Sequence, residues 1–333
     1  MSQTPDVSFV IAAYNTSETI GRAIASALAQ RDVSVEVLVV DDASSDDTRD
    51  VVGRLADPRV QLIALQQNRG PGGARNAGLD AARGRWIAIL DSDDAVEPDR
   101  LARMIARAEK VNAQIVVDNL DVVSQDGSRE RMFPEAELAR QTQLTLPAFI
   151  TSNALFRSTH NYGYMKPVFQ RRFLDDKALR FDESLRIGED YLLLASALAR
   201  GGRCVVEPAA GYIYNIREGS ISRMLKKHHV EAMLTADDRF VGSHSLDPAA
   251  RKAQRLRTRS LTEARSFLDL VEQLKSRSFV QALRTALGDP AAVRHLRMPI
   301  AARLRRLAGN DKRPGRNATG QRSPGQGPHT SKG

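Results

Sequence analysis

Trp86-Ile87-Ala88-Ile89-Leu90-Asp91-Ser92-Asp93-Asp94 decides how the rest of the chain is read: five apolar residues run straight into three carboxylates within four positions. A short apolar run bounded by polar residues fits a strand buried on both faces, as in a parallel sheet covered by helices. The acids then stand at a sheet edge, where the chain surfaces. Their mutual repulsion needs an offset, from water, from arginines or from a hard divalent cation with oxygen ligands. Magnesium takes one or two protein carboxylates and completes its shell with phosphate and water, so a diphosphate is a natural guest. The competing reading is a solvated turn ahead of the helix that Glu97-Pro98-Asp99 starts.

On the N-terminal side the same unit recurs. Val7 to Ala13 is an apolar strand, Tyr14 to Glu18 supplies helix caps, and Ile20, Ile24 and Leu28 lie four apart. Val35 to Val40 is a second strand that enters the acidic loop Asp41 to Thr48, and Val60 to Leu65 a third, followed by Asn68-Arg69-Gly70-Pro71-Gly72-Gly73 and a helix through Arg75 and Gly78. Strands alternating with helices predict an α/β fold with a mostly parallel sheet flanked by helices. Ligands of such sheets bind beyond the strand C-termini, where the Tyr14, Asp42 and Asp91 loops point. There Asp42 could accept from a base imide, Tyr14 could pack on the base, Arg75 could offset phosphate charge and Asp93 could hold the cation. Taken singly, each has a plainer role as a cap, a core aromatic or a surface arginine. The glycine segment lacks a P-loop lysine, and no Gly-x-Gly-x-x-Gly follows the first strand, so neither ATP hydrolysis nor dinucleotide binding is supported.

On the C-terminal side a helix from Pro98, a strand from Ile115 and a hairpin turn at Asp126-Gly127 are expected, whereas residues 133–180 carry no legible period. Ile187-Gly188-Glu189-Asp190 leads a helix to Ala199, a strand follows near Arg203 to Glu207, and from about 228 the pattern is helical. Residues 309–333 are rich in Gly, Pro, Ser and basic residues and read as disordered. The expected organisation is a sheet domain over 1–225, a helical extension over 226–308 and a basic tail.

Length and composition are those of an ordinary globular protein: 333 residues, 42% of them hydrophobic. The lone Cys204 forms no internal disulfide, and no apolar leader or spanning run is visible, so a cytoplasmic protein is expected. The net charge of +9 conceals an asymmetry, with 30 Lys and Arg against 35 Asp and Glu in residues 1–250 and 19 against 5 in residues 251–333. Arg294 to Leu307 interleaves leucines with arginines, a pattern for a basic amphipathic helix resting on the anionic inner face of the plasma membrane or docked on the main domain.

Val10-Ile-Ala-Ala-Tyr14-Asn15, Val39-Val-Asp41-Asp42-Ala-Ser44, Asn68-Arg-Gly70 through Ala74-Arg75-Asn76-Ala-Gly78, and Leu90-Asp91-Ser-Asp93-Asp94 resemble, in order, the signatures of family 2 glycosyltransferases with the GT-A fold. The likeness spans residues 7–225 and is greatest to exopolysaccharide transferases of the succinoglycan type. It implies a nucleotide-sugar donor, usually a UDP-sugar such as UDP-glucose, and a saccharide or lipid-linked saccharide acceptor. Ala13, Tyr14 and Asp42 would stand on the nucleotide side, Asp91 near the ribose and donor, and Asp93, with Asp91, at a Mg²⁺ or Mn²⁺ ion. Asp190 would be the general base of an inverting transfer, with Glu189 supporting the acceptor or its neighbour. Arg217, in Arg217-Glu-Gly219-Ser220-Ile-Ser222, resembles a loop that closes over the diphosphate, though a plain surface turn reads as well. Lys166 falls where related sequences carry acceptor-side residues.

Two other functions compete. Asp91 as nucleophile with Asp93 as acid and base would make a magnesium-dependent phosphohydrolase, but leaves the Tyr14, Asp42 and Arg75 loops idle. The basic C-terminal third could bind nucleic acid, but it offers only Phe267 and Phe279 for stacking, so no nucleic-acid partner is expected.

Overall fold

A computed structural model describes residues 4–157, 161–216 and 225–296. The first half alternates as expected: β1 (Val7–Ala13), α1 (Ile20–Leu28), β2 (Val35–Asp41), α2 (Thr48–Gly53), β3 (Val60–Ala64), α3 (Gly70–Ala81), β4 (Trp86–Ile89), then the two-residue β5 (Ala95–Val96) and α4 (Arg100–Lys110). Strands β3, β2, β1 and β4 pair in that order, all parallel. Central β1 and β2 are almost continuously apolar because helices cover both faces, while edge strand β3 is half exposed. Helix α3 lies flat on this sheet at Gly78, where a Cβ would stand 2.4 Å from Val10 Cγ1. Only glycine allows that approach, and it brings Arg75, one turn earlier, to the sheet edge.

The second half departs from simple alternation. It comprises β6 (Ile115–Val123), β7 (Arg129–Arg131), α5 (Glu135–Arg140), α6 (Leu146–Ser152), a 3₁₀ turn at Tyr162–Tyr164, β8 (Val168–Gln170), α7 (Arg171–Asp176), α8 (Glu189–Ala199) and β9 (Cys204–Asn215). Strand β8, from the stretch without a legible period, enters antiparallel between β4 and β6 and joins the two halves into one sheet of nine strands. Beyond it β9 runs parallel to β6, with an irregularity at Asp118–Leu120, and antiparallel to β5. The Asp126-Gly127 hairpin forms as expected, between β6 and β7.

The C-terminal region is α9 (Lys227–Ser243), α10 (Pro248–Lys275), α11 (Phe279–Gly288) and α12 (Pro290–His295). Phe240, Leu246, Ala250 and Ala253 join the same core as the sheet, so α9 and α10 are packed on the sheet domain. A small satellite cluster of Val230, Met233, Leu261 and Ala264 closes the seam between the two helices. No helix of the described residues is long and apolar enough to cross a membrane. Arg217, the expected tail and all but Arg294 to Leu296 of the basic amphipathic stretch lie outside the described residues.

Candidate active site

The carboxyl ends of β1 and β4, the N-terminus of α8 and the turn before β8 surround a cavity of about 630 Å³ lined by Tyr14, Arg75, Asp91, Asp93, Lys166 and Asp190, among others. Residues more than a hundred positions apart in sequence meet there.

Arg75 is the hub. Its guanidinium, 7% exposed, donates through Nη2 to Asp91 Oδ1 at 2.7 Å and through Nη1 to Glu189 Oε1 at 2.7 Å and Asp190 Oδ1 at 2.8 Å. Lys166 closes the ring from the other side, with Nζ 2.7 Å from Asp91 Oδ2 and 3.1 Å from Asp190 Oδ2. Two cations thus hold three carboxylates at the mouth of a cavity that Asp93 also lines. Burial alone would raise Asp91, but the Lys166 ammonium and the Arg75 guanidinium outweigh it and hold the carboxyl well below the usual range. Glu189 moves the other way, because its burial and the Asp190 charge exceed the help from Arg75. Both cations are held firmly protonated: their burial is outweighed by Asp190 and Asp91.

Local chain geometry sets this up. Gly188 takes φ +92, a left-handed conformation open to glycine, and turns the chain so that Glu189 and Asp190 form the first turn of α8. Carboxylates there are favoured by the positive end of the helix dipole. The Asp190 side chain is 28% exposed against 8% for Glu189, so Asp190 is the one that meets solvent in the cavity.

The three acids after β4 separate into three roles. Asp91 is ion-paired. Asp94 turns inward, accepting from the Tyr212 hydroxyl at 2.8 Å and the Asn215 backbone N–H at 2.8 Å, and burial with the Asp91 and Asp93 charges pushes its carboxyl up to about 8. Asp93 has its carbonyl fixed by Arg22 at 2.6 Å and by the Asn215 amide at 3.1 Å, while the residue lines the cavity. Among the described residues no group of three or more His, Cys, Asp or Glu is arranged to hold a metal by itself. The donor set present is one carboxylate at Asp93, beside an Asp91 whose oxygens each already accept from a cation. That fits a magnesium-like ion completed by ligand oxygens and water better than it fits an all-protein cage.

Asp42 and Ala13, expected on the nucleotide side, do not line this cavity. Asp42 is 3% exposed, and its oxygens accept the backbone N–H groups of Arg69 at 2.7 Å and Gly70 at 2.8 Å. It therefore pins the loop that starts α3, because paired backbone donors satisfy a buried carboxylate. Ala13 is buried too, its carbonyl accepting the Asp42 N–H at 2.8 Å. Tyr14, half exposed, does line the cavity.

The structure adds residues that the sequence reading missed. Tyr212 links the chain of Asp91 to the carboxyl of Asp94, its hydroxyl accepting the Asp91 N–H at 3.1 Å. Tyr164 and Tyr214 meet edge to face at 6.0 Å on the cavity wall. Tyr164 comes from the stretch without periodicity, and the tyrosines of β9 look like any strand aromatics.

Comparison with known proteins agrees with this architecture. The model of the family described as "Glycosyl transferase family 2" matches residues 8–173. The chain is 64% identical over 343 residues to the succinoglycan biosynthesis protein ExoO of Rhizobium meliloti (strain 1021), covering 100% of this chain and 99% of that protein. It is 33% identical over 302 residues to the succinoglycan biosynthesis protein ExoU of the same strain, covering 86% and 84%. Among solved structures, residues 1–349 of S. aureus TarS in complex with UDP-GlcNAc superpose with a TM-score of 0.59 at 22% identity, covering 87% of this chain and 79% of that one, a likeness of fold. The family match and the full-length relatedness together place the chain in glycosyl transferase family 2.

Proposed function

We propose that the protein transfers a hexose from a UDP-sugar, UDP-glucose in the first instance, to a growing exopolysaccharide or lipid-linked oligosaccharide of the succinoglycan type, with inversion at the anomeric carbon. The observation that carries this reading is the arrangement of Asp93, Arg75, Lys166 and Asp190 around one cavity. Relatedness to ExoO and ExoU supports the pathway, and the UDP-GlcNAc held by TarS supports the donor class.

In this reading the acceptor hydroxyl forms a bond to the anomeric carbon as the bond from that carbon to the diphosphate oxygen breaks. Asp190 takes the hydroxyl proton, and the electron pair leaves with the nucleoside diphosphate. Lys166 holds Asp190 in place, and Arg75 keeps Asp91, Glu189 and Asp190 together against their own repulsion. Asp93 would hold a Mg²⁺ or Mn²⁺ ion, which supplies charge stabilisation to the departing diphosphate. A phosphohydrolase built on Asp91 and Asp93 alone would leave Tyr14 and Asp190, which line the same cavity, without a role, which weighs against that reading.

The experiment is a thermal-shift panel of UDP-, GDP- and dTDP-sugars with and without Mn²⁺, followed by assays of UDP release for Asp190→Asn and Asp93→Asn. A shift with UDP-sugars that deepens with Mn²⁺, and loss of turnover in both variants, is expected. Unchanged turnover in both would overturn the roles of base and metal ligand assigned to these two carboxylates.

A further inference from the structure

Another groove, of about 1070 Å³, runs through the C-terminal helices away from the catalytic carboxylates, between Arg251, Arg255 and Arg259 of α10 and Thr285 and Gly288 of α11. The three arginines recur every four residues and so share one face of α10. Arg251 and Arg255 are exposed, while Arg259 pairs with Glu263 at 3.1 Å.

The apolar side chains of α11 do not line that groove. Helix α11 buries only Ala282, and its large apolar side chains point outward: Phe279 is 65% exposed, Val280 68%, Leu283 60% and Leu287 72%. Phe279, Leu283 and Leu287 are four apart, with Val280 on the adjoining row, so they make one stripe. Surface helices ordinarily turn such a stripe to the core, and a contiguous exposed one marks an interaction face. Leu274 and Val293, shortly before and after α11 in the chain, are exposed as well, and α11 carries no acidic residue, while Arg284 within it and Arg277 and Arg294 near its ends are exposed.

We propose that the exposed apolar stripe of α11, with the arginines beside it, is a docking surface for an anionic lipid bilayer. Phe279, Val280, Leu283 and Leu287 enter the boundary between headgroups and acyl chains, and the arginines on either side meet anionic headgroups. Charge decides between a bilayer and a second copy of the chain. The described residues 251–296 hold 10 Lys and Arg against 4 Asp and Glu, so a symmetric self-contact would press like charges together, whereas an anionic leaflet complements them. The surface stands apart from the catalytic residues, so the proposal holds whichever donor and acceptor the enzyme uses.

The test is flotation of the full-length protein with vesicles of phosphatidylglycerol mixed with phosphatidylcholine, and with phosphatidylcholine alone, over a range of salt. Binding to the mixed vesicles that weakens as salt screens it is expected. Phe279→Ser combined with Leu283→Ser and Leu287→Ser should lower partitioning at least about tenfold with an unchanged melting curve. Arg277→Glu with Arg284→Glu should cost about tenfold on mixed vesicles and little on phosphatidylcholine. No flotation of the wild type, or undiminished binding by the triple serine variant, would overturn the proposal. So would a wild-type dimer in sedimentation velocity that the serine variant converts to monomer, which would assign the stripe to a second copy.

Discussion

Two buried arginines, Arg75 and Arg100, stand on either side of the same lysine and do different work. Arg100 is sealed, 0% exposed, with Nε and Nη2 each 2.8 Å from an oxygen of Asp118, itself 0% exposed. One cation meets one anion in a bidentate pair, and the remaining reach of Nη2 goes to the Lys166 carbonyl at 2.8 Å. Arg75 serves three carboxylates, and two of them, Asp91 and Asp190, remain a quarter or more exposed to the cavity. A balanced, closed pair specifies structure; an over-subscribed, open one holds charges that are ready to be re-paired by a ligand. Lys166 connects the two, its backbone held by Arg100 and its ammonium by Asp91 and Asp190.

The contrast can be broken most severely at Asp190. Asp190→Asn keeps the shape but removes the carboxylate proposed as base, so turnover should fall about 10²- to 10⁴-fold with the melting temperature nearly intact. A loss below about tenfold in UDP release would move the base to Glu189 or elsewhere.

Arg100→Leu tests the other pole. It strands a fully buried Asp118 and should cost about 3–5 kcal/mol in urea denaturation, most of it recovered when Asp118→Leu is added. Arg75→Leu should do the reverse, costing less stability than Arg100→Leu, because water can reach Asp91 and Asp190, and more activity. If both arginines proved equally destabilising, the open and closed pairs would not differ in kind.

Lys166→Met sharpens the link between them. The side chain keeps its length but loses the charge that positions Asp190, for an expected drop of about tenfold to a hundredfold in turnover. Retention of full activity would make Lys166 a spectator.

The smallest effect concerns pH. Asp94 is raised from 3.8 to about 8, so the folded state holds a proton that the unfolded chain releases. Stability from this group is complete below about pH 4 and is lost as pH rises toward 8, since the native state binds more protons across that window. Asp94→Asn should flatten the fall in urea midpoint between pH 5 and 8; an unchanged slope would place the titration elsewhere.

Much of the fold and part of the site are legible in the residues alone, and the misses share a cause. Buried parallel strands write themselves as apolar runs, so β1, β2 and β4 stand in the sequence where they stand in the structure. Arg75 and Asp93 line the cavity to which the loops at the strand ends pointed, whereas Asp190, which lines it too, was singled out by the family resemblance. That Asp42 accepts two backbone amides was not legible, because a carboxylate at a sheet edge reads the same whether it faces a ligand or the chain, and the bonds depend on the path of the Arg69-Gly70 loop. Residues 133–180 hid β8, since a three-residue strand has too few side chains to show a period.

By itself, then, the sequence determined the alternation of elements, the buried parallel half and the acid-rich loops at its edge, because hydrophobic periodicity and chain punctuation are local properties. Only the tertiary structure decided which acids face the cavity and which are consumed inside, that β8 enters antiparallel to carry Lys166 to Asp91 and Asp190, and that α11 shows its apolar stripe to the outside. Those outcomes depend on what each side chain finds opposite it, and that partner lies a hundred residues away or beyond the chain altogether.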